Sequence, residues 1–417
     1  MRKAGVNISR LILAVVLVFS GFIKAVDPLG TQYKIADYLQ VLHLGKYVPD
    51  AITLGSSVIQ SAIEFGLGIC LLFAMHRRFV SKLTLLMMAI MTPLTLWLAL
   101  ADPISDCGCF GDAVVLTNWQ TFWKNVVLLT AALVIWKWPL DMIRFVSVNI
   151  QWIIINYSAA FIIALSAWSL YDLPYFDFRP YHIGTDLRGG WTKMMEGEES
   201  PYSEFFMEET SNGEDITDSL LNHKGYLFLL VATHLENADD SQLDLINQIY
   251  EYAEDEKYPF YCLTASGKAG IKYWIENTGA EYPYCHTDDI TLKTIIRSNP
   301  GLLLLKDGVI IRKWSHNRLP DEYQLTDRLE NLEIGQKPED SVPKKILIIL
   351  LWYVLPLVIL TIADRLWAWS LWVRNKQKSN KVYQLFNKKK NEKENCSRQL
   401  EDEPEPAGGH QPGQGTE

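Results

Sequence analysis

Apolar runs of about 20 residues recur along this chain, and no other feature limits its fold as strongly. They cover residues 7–26, 51–74, 80–101, 121–138, 149–170 and 346–373, with few charges inside them. At 1.5 Å per helical residue, about 20 residues cross the roughly 30 Å of a bilayer's hydrocarbon. Six such runs predict an α-helical membrane protein in contact with the lipid bilayer. Arg2, Lys3 and Arg10 make the first run look like a signal peptide. No small-residue cleavage site follows it, so a retained helix is expected.

Charge is distributed as unevenly as hydrophobicity. Residues 171–342 carry 15 Lys+Arg against 32 Asp+Glu, whereas residues 373–395 carry eight against two. Short basic loops stay on the cytoplasmic side. The N-terminus, the loop with Arg77, Arg78 and Lys82, the loop with Lys137 and Arg144, and the tail from Arg374 to Lys393 are all basic, and their order fits six crossings. Lys344 and Lys345 oppose this, but at a helix end their ammonium groups can snorkel to the surface. The expected topology is multi-pass in an inner membrane, with both termini cytoplasmic. The loop at 102–120 and the acidic segment then lie together on the periplasmic face.

The acidic segment opens irregularly, with Pro174, Pro180, Gly184, Gly189, Gly190 and Pro201. It then alternates in type. Residues 226–233 and 260–264 read as strands, 241–253 and 268–278 as helices, and 301–306 with 309–314 as a hairpin turning on Asp307-Gly308. Residues 321–332 read as a closing helix. This is the order of an α/β domain of thioredoxin type. The expected domains are a four-helix membrane domain (1–139), a fifth transmembrane helix (140–171), a linker or extended arm (172–214), a thioredoxin-like periplasmic domain (215–335), a sixth transmembrane helix (344–373) and a disordered cytoplasmic tail (374–417). The stretch between the first and second apolar runs, with Pro28, Gly30 and Pro49, reads as a polar loop.

Chemistry is concentrated in Asp106-Cys107-Gly108-Cys109-Phe110-Gly111-Asp112, between the third and fourth runs. Of six cysteines (70, 107, 109, 262, 285 and 396), only Cys107 and Cys109 are close enough in sequence to pair locally. A Cys-x-Cys disulfide closes a small ring that departs from relaxed geometry, which suits exchange, and Gly108 supplies the backbone freedom it needs. A disulfide that tightens a loop and a thiolate metal site are the alternatives; metal would need further ligands, and no histidine is near in sequence. Asp106 and Asp112 would raise the thiol pKa values and a following helix N-terminus would lower them. Glu64 lies within the second run, where a carboxylate is expensive and turns inward. It can relay a proton or meet a quinone head group, or it can be a protonated group bonded to a neighbouring helix. Gln60 and Ser61 are its expected local partners. Lys24 falls near the outer end of the first run, so no Lys24–Glu64 pair is expected. Cys70 and Cys262 read as packed thiols. Cys285 sits in a more exposed pattern and is a candidate lone redox thiol, or a partner of Cys262.

Ser20-Gly21-Phe22-Ile23-Lys24 with Asp27-Pro28, Ile63-Glu64-Phe65-Gly66-Leu67-Gly68, and the cysteine motif together resemble the MauE/DoxX family of four-helix membrane proteins, over residues 1–139. The resemblance implies redox maturation: MauE is associated with disulfide formation in methylamine dehydrogenase, and DoxX relatives with quinol oxidation or respiratory complexes. It places the active pair at Cys107 and Cys109 without implying methylamine as substrate. Asn299-Pro300 resembles the cis-proline position of thioredoxin-like proteins. Thr233-His234-Leu235-Glu236 stands where those proteins carry Cys-x-x-Cys, so their dithiol mechanism is absent here.

These features predict a membrane redox protein that exchanges thiol and disulfide equivalents through Cys107 and Cys109, with a periplasmic client protein or thiol carrier as partner and quinone as a possible cofactor. A non-enzymatic membrane scaffold with a structural Cys107–Cys109 disulfide is the alternative. Nothing in the sequence points to nucleic acid, since the basic tail sits where anionic lipid would attract it.

Overall fold

The computed structural model of the protein describes residues 1–104, 107–198, 202, 205–338 and 342–401. Asp106 and tail residues 402–417 lie outside the described residues. The chain divides into two compact units, Met1–Leu355 and Pro356–Glu417.

The first unit begins with helices α1 (Arg2–Val26), α2 (Pro28–Val41), α3 (Asp50–Leu72), α4 (Arg77–Ala101), α5 (Asn118–Lys137) and α6 (Gln151–Tyr171). Five helical stretches are long and apolar enough to cross a membrane: Arg2–Val26, Asp50–Leu72, Arg77–Ala101, Val148–Tyr171 and Val342–Gln377. The fourth expected span, residues 121–138, forms as α5, but Gln120, Lys124 and Asn125 make its first half too polar for that set. Residues 28–41, read as a loop, are helical. Asp27 ends α1 and starts α2, accepting from the Gly30 amide at 2.9 Å, and Pro28 takes the first helical position, where a missing N–H costs nothing. Thr117 and Gln120 close a capping box on α5.

Helices α1 and α3 touch backbone to backbone. A Cβ added at Gly21 would fall 2.4 Å from the Phe65 amide nitrogen, and one at Gly68 would fall 2.6 Å from that of Val18. Small residues allow such approaches between membrane helices. Gly21→Ala should therefore force α1 and α3 apart and lower the thermal midpoint of the detergent-solubilised protein. A Gly5→Ala control, where a Cβ meets nothing within 4 Å, should leave it unchanged. At one end of the bundle Arg2 pairs with Asp141 at 2.7 Å, and Arg10 and Arg77 donate to carbonyls of Ile143, Leu140 and Met142. The cysteine loop lies at the other end.

The domain that follows contains α7 (Leu187–Met195), β1 (Glu208–Glu209), α8 (Thr217–Leu221), β2 (Tyr226–Ala232), α9 (Leu243–Asp255), β3 (Phe260–Thr264), α10 (Lys268–Thr278), β4 (Tyr284–His286), α11 (Asp289–Ile295), β5 (Gly301–Lys306) and β6 (Val309–Ser315). The sheet order is β1-β4-β3-β2-β5-β6. Strands β2, β3 and β4 run parallel, whereas β5 and β6 return antiparallel. This is the thioredoxin-like arrangement, and the Asn299–Pro300 peptide is cis. Every residue of β2 is buried, as a central strand covered on both faces must be.

The segment expected to be an arm instead covers one face of this sheet: Tyr181, Leu187, Phe205 and Met207 join the core around Leu227, Leu229 and Leu303. Residues 321–332 do not form the expected helix. Asp321 and Asp327 accept from the nearby Gln324 and Arg328 amides, which holds turns that compete with helix, and Leu329 is buried beneath them. The unit ends in α12 (Val342–Ile349) and a π-helical turn at Leu350–Val354, where Tyr353 packs on Phe65 and Phe161.

The last helix, α13 (Leu355–Glu401), makes up the described part of the second unit. Disorder was expected from residue 374, yet helix continues to 401. Lys, Glu, Gln and Leu are good helix formers and suffice for a helical register despite the low apolar content.

Candidate functional site

The cysteine loop folds back between the C-terminal end of α1, helix α2 and the N-terminal part of α5. Gly108 at φ +65° and Gly111 at φ +50° make its two reversals. The Cys107 and Cys109 sulfurs lie 3.0 Å apart as hydrogen-bonded thiols. Their backbone is anchored too: the Tyr38 hydroxyl donates to the Cys107 carbonyl at 3.1 Å, and the Ser20 hydroxyl lies 2.8 Å from that of Cys109. Phe110 packs against Phe19, with the Lys124 ammonium 4.2 Å above its ring.

The two sulfurs differ electrically. The hydrogen bond from Cys107, opposed by burial and aided by Lys124 and Lys24, lowers the Cys109 thiol to about 6. The same bond, together with burial, pushes Cys107 well above the ordinary thiol range. Among the described residues, neither Asp112 nor the start of α5 is a leading influence on either thiol. Asp112 turns toward Arg297 at 3.6 Å, and α5 starts well past the pair.

Beneath the loop, Lys24 and Glu64 meet at 2.5 Å with their side chains only 5% and 2% exposed. The sequence reading placed these groups at different depths; the close α1–α3 contact through Gly21 brings them level. Gln60 donates to Glu64 at 3.1 Å as expected, whereas Ser61 bonds the Val58 carbonyl instead. Ser20, not foreseen, stands 2.6 Å from the other Glu64 oxygen. Ser20 thus connects a carboxylate inside the bundle to the cysteine loop, with Gln60 beside Glu64 as expected and Lys24 beside it against expectation.

The thioredoxin-like domain closes over this end. Arg297, just past α11, reaches both oxygens of Asp27 at 3.0–3.1 Å through Nε and one of them at 2.9 Å through Nη2, and it lies 5.2 Å over the Tyr33 ring. Burial disfavours the Asp27 charge, but Arg297 and Arg179 outweigh it and hold the carboxyl below its ordinary range. A cleft of about 400 Å³ runs between the layers, with Lys24, Asp27, Lys34, Gly108, Arg179 and Arg297 in its walls.

Where a thioredoxin dithiol would sit, His234 pairs with Asp289 and His316 with Asp239, each at 3.3 Å, and Asn299 donates to the His234 carbonyl at 3.1 Å. Cys285 is fully buried, which corrects its expected exposure; it belongs to a strand core rather than a surface loop. Cys262 and Cys285 join the cores on opposite faces of the sheet, so the suggested pairing does not form. Among the described residues, no group of three or more His, Cys, Asp and Glu side chains has the geometry to hold a metal ion.

A helical membrane bundle that presents a paired-thiol loop to a cysteine-poor thioredoxin-like domain is thus the class of molecule on view. Residues 2–137 match the family described as methylamine utilisation protein MauE, a third of the chain. No curated protein matches the chain. Among solved structures, the chain is similar to a candidate protein disulfide isomerase from Bacteroides thetaiotaomicron, with 14% identity over 27% of this chain and 76% of that one, at a TM-score of 0.24. It is also similar to the C-terminal domain of a candidate thiol-disulfide oxidoreductase from the same organism, with 18% identity over 31% and 91% and a TM-score of 0.25.

Proposed function

We propose that this protein is a thiol–disulfide exchanger of the inner membrane, working at the periplasmic face through Cys107 and Cys109. The observation that carries the reading is the asymmetric sulfur pair, 3.0 Å apart, with Cys109 acidified to about 6. A low-pKa thiol beside a resolving thiol is the arrangement exchange requires. Cys109 thiolate attacks one sulfur of a partner disulfide; that bond breaks, and the partner's other sulfur leaves as a thiolate. Cys107 then gives up its proton and attacks the Cys109 sulfur. The Cys107–Cys109 bond forms, the second partner sulfur leaves, and two electrons have passed to the partner. Run backwards, the same steps oxidise a client dithiol. The partner is a periplasmic client or thiol carrier held by the outer domain. The convergence of Arg2, Arg10 and Arg77 at the far end supports the cytoplasmic assignment of that end.

Intact cells treated with a membrane-impermeant thiol reagent, with and without prior reduction, should label Cys107 and Cys109 only after reduction. In the Cys107→Ala/Cys109→Ala protein, exchange with a disulfide partner should disappear. Function that survives the double change would instead favour the scaffold reading.

A further inference from the structure

Ser20 holds one hydroxyl hydrogen between two acceptors, Glu64 Oε2 at 2.6 Å and the Cys109 carbonyl at 2.8 Å. A carboxylate and a carbonyl both lack a hydrogen to share, so with an ionised Glu64 only one of these short contacts can be a full two-centre hydrogen bond. Both are satisfied when Glu64 itself carries a proton on Oε2 and donates to Ser20, which donates onward to Cys109. The other Glu64 oxygen already accepts from Lys24 and Gln60.

Charge balance leads to the same arrangement. Glu64 is faced by Lys24 from α1 and by the thiol loop, near which Lys124 projects from α5; α6 brings no charged side chain. With Cys109 a thiolate, an ionised Glu64 would leave Lys24 shared between two buried negative charges, whereas a protonated Glu64 leaves Lys24 to the thiolate. When the pair is a disulfide, the thiolate charge is gone and a carboxylate opposite Lys24 is balanced.

Resting on the exchange reading above, we propose that Glu64 is the proton carrier of the thiol pair, loaded on reduction and emptied on oxidation, with Ser20 as the positioning residue that ties its state to the cysteine loop. Reduction by two partner thiols then balances: the Cys107–Cys109 bond breaks, a partner disulfide forms, and two electrons enter the pair. Of the two protons released by the partner, one goes to Cys107 and one to Glu64, leaving Cys109 a thiolate.

The test is an infrared difference spectrum, reduced minus oxidised, of the full-length protein in lipid nanodiscs, with the thiols titrated in the same samples. Reduction of the wild type should produce a protonated-carboxyl band. That band should be lost in Glu64→Gln and shifted in Ser20→Ala, which keeps the carboxyl should Glu64→Gln fail to fold. A wild type that gains two thiols without any carboxyl band, or a band unmoved by both changes, overturns the proton-carrier assignment alone. A wild type whose thiol count does not change between reducing and oxidising conditions overturns the exchange reading and this inference with it.

Discussion

Cys107→Ser will accumulate a covalent adduct with the physiological partner on non-reducing gels, and Cys109→Ser will not. Cys109 is the sulfur with the low pKa, so it makes the first attack; Cys107 releases the product. Without Cys107 the mixed disulfide has no resolving thiol and persists. Without Cys109 the remaining thiol is one whose pKa burial would raise, so attack slows by on the order of a hundredfold, the ratio expected when a mostly ionised thiol is replaced by one ionised to about a per cent. The pH profile follows with a definite sign. The thiolate fraction of Cys109 in the intact pair is largest above about 6 and falls as the pH drops through that value, so alkylation of Cys109 in the reduced wild type should fall away below about pH 6. A half-point near the ordinary value of about 8.5 would remove the asymmetry on which the direction of attack depends. Adducts of equal yield in both single variants would do the same.

Arg297→Ala is expected to have the second large effect, on the docking of the outer domain. Arg297 is 7% exposed and bridges the domain to Asp27 and Asp112 of the bundle. Removing one partner of a buried ion pair strands the other and typically costs about 3–5 kcal/mol. Asp27 and Asp112 are partly exposed, which favours the lower end of that range, and at 1.4 kcal/mol per factor of ten opening of the cleft should become on the order of a hundredfold more frequent. Alkylation of Cys109 should accelerate accordingly, and a double-mutant cycle with Asp27→Asn should show strong coupling. Because Asp27 is held below its ordinary pKa, the docking contribution is present above about pH 4 and is lost as the pH falls through the depressed value. Unchanged labelling in Arg297→Ala would mean that the domain is held by other contacts.

How much of this was legible beforehand depended on the kind of signal. Strands β3, β5 and β6 and helix α10 announce themselves through local apolar runs and an Asp-Gly turn, and the structure finds them within a residue. Helix α2 did not, because its apolar residues form no stripe and Pro28 with Gly30 read as breakers, although proline is at home in a first helical turn. The site divided along the same line. Cys107, Cys109 and Glu64 stand out because cysteine pairs and intramembrane carboxylates are rare. Ser20, Lys24, Lys124 and Arg297 matter only through axial register and domain docking, which no local pattern encodes. The Lys24–Glu64 contact depends on two glycines permitting a close helix crossing, and Arg297 meets a residue 270 positions earlier.

Asp27 caps the start of α2 and receives Arg297, and Asp112 shares that guanidinium from within the redox loop. The region that matches a family by itself therefore takes a counter-charge in this chain from beyond its own bounds. A version truncated after residue 139 would keep both cysteines but leave two carboxylates at its rim without their counter-charge. The two modules share one electrostatic joint, and exchanging either would remove a charge that the other faces.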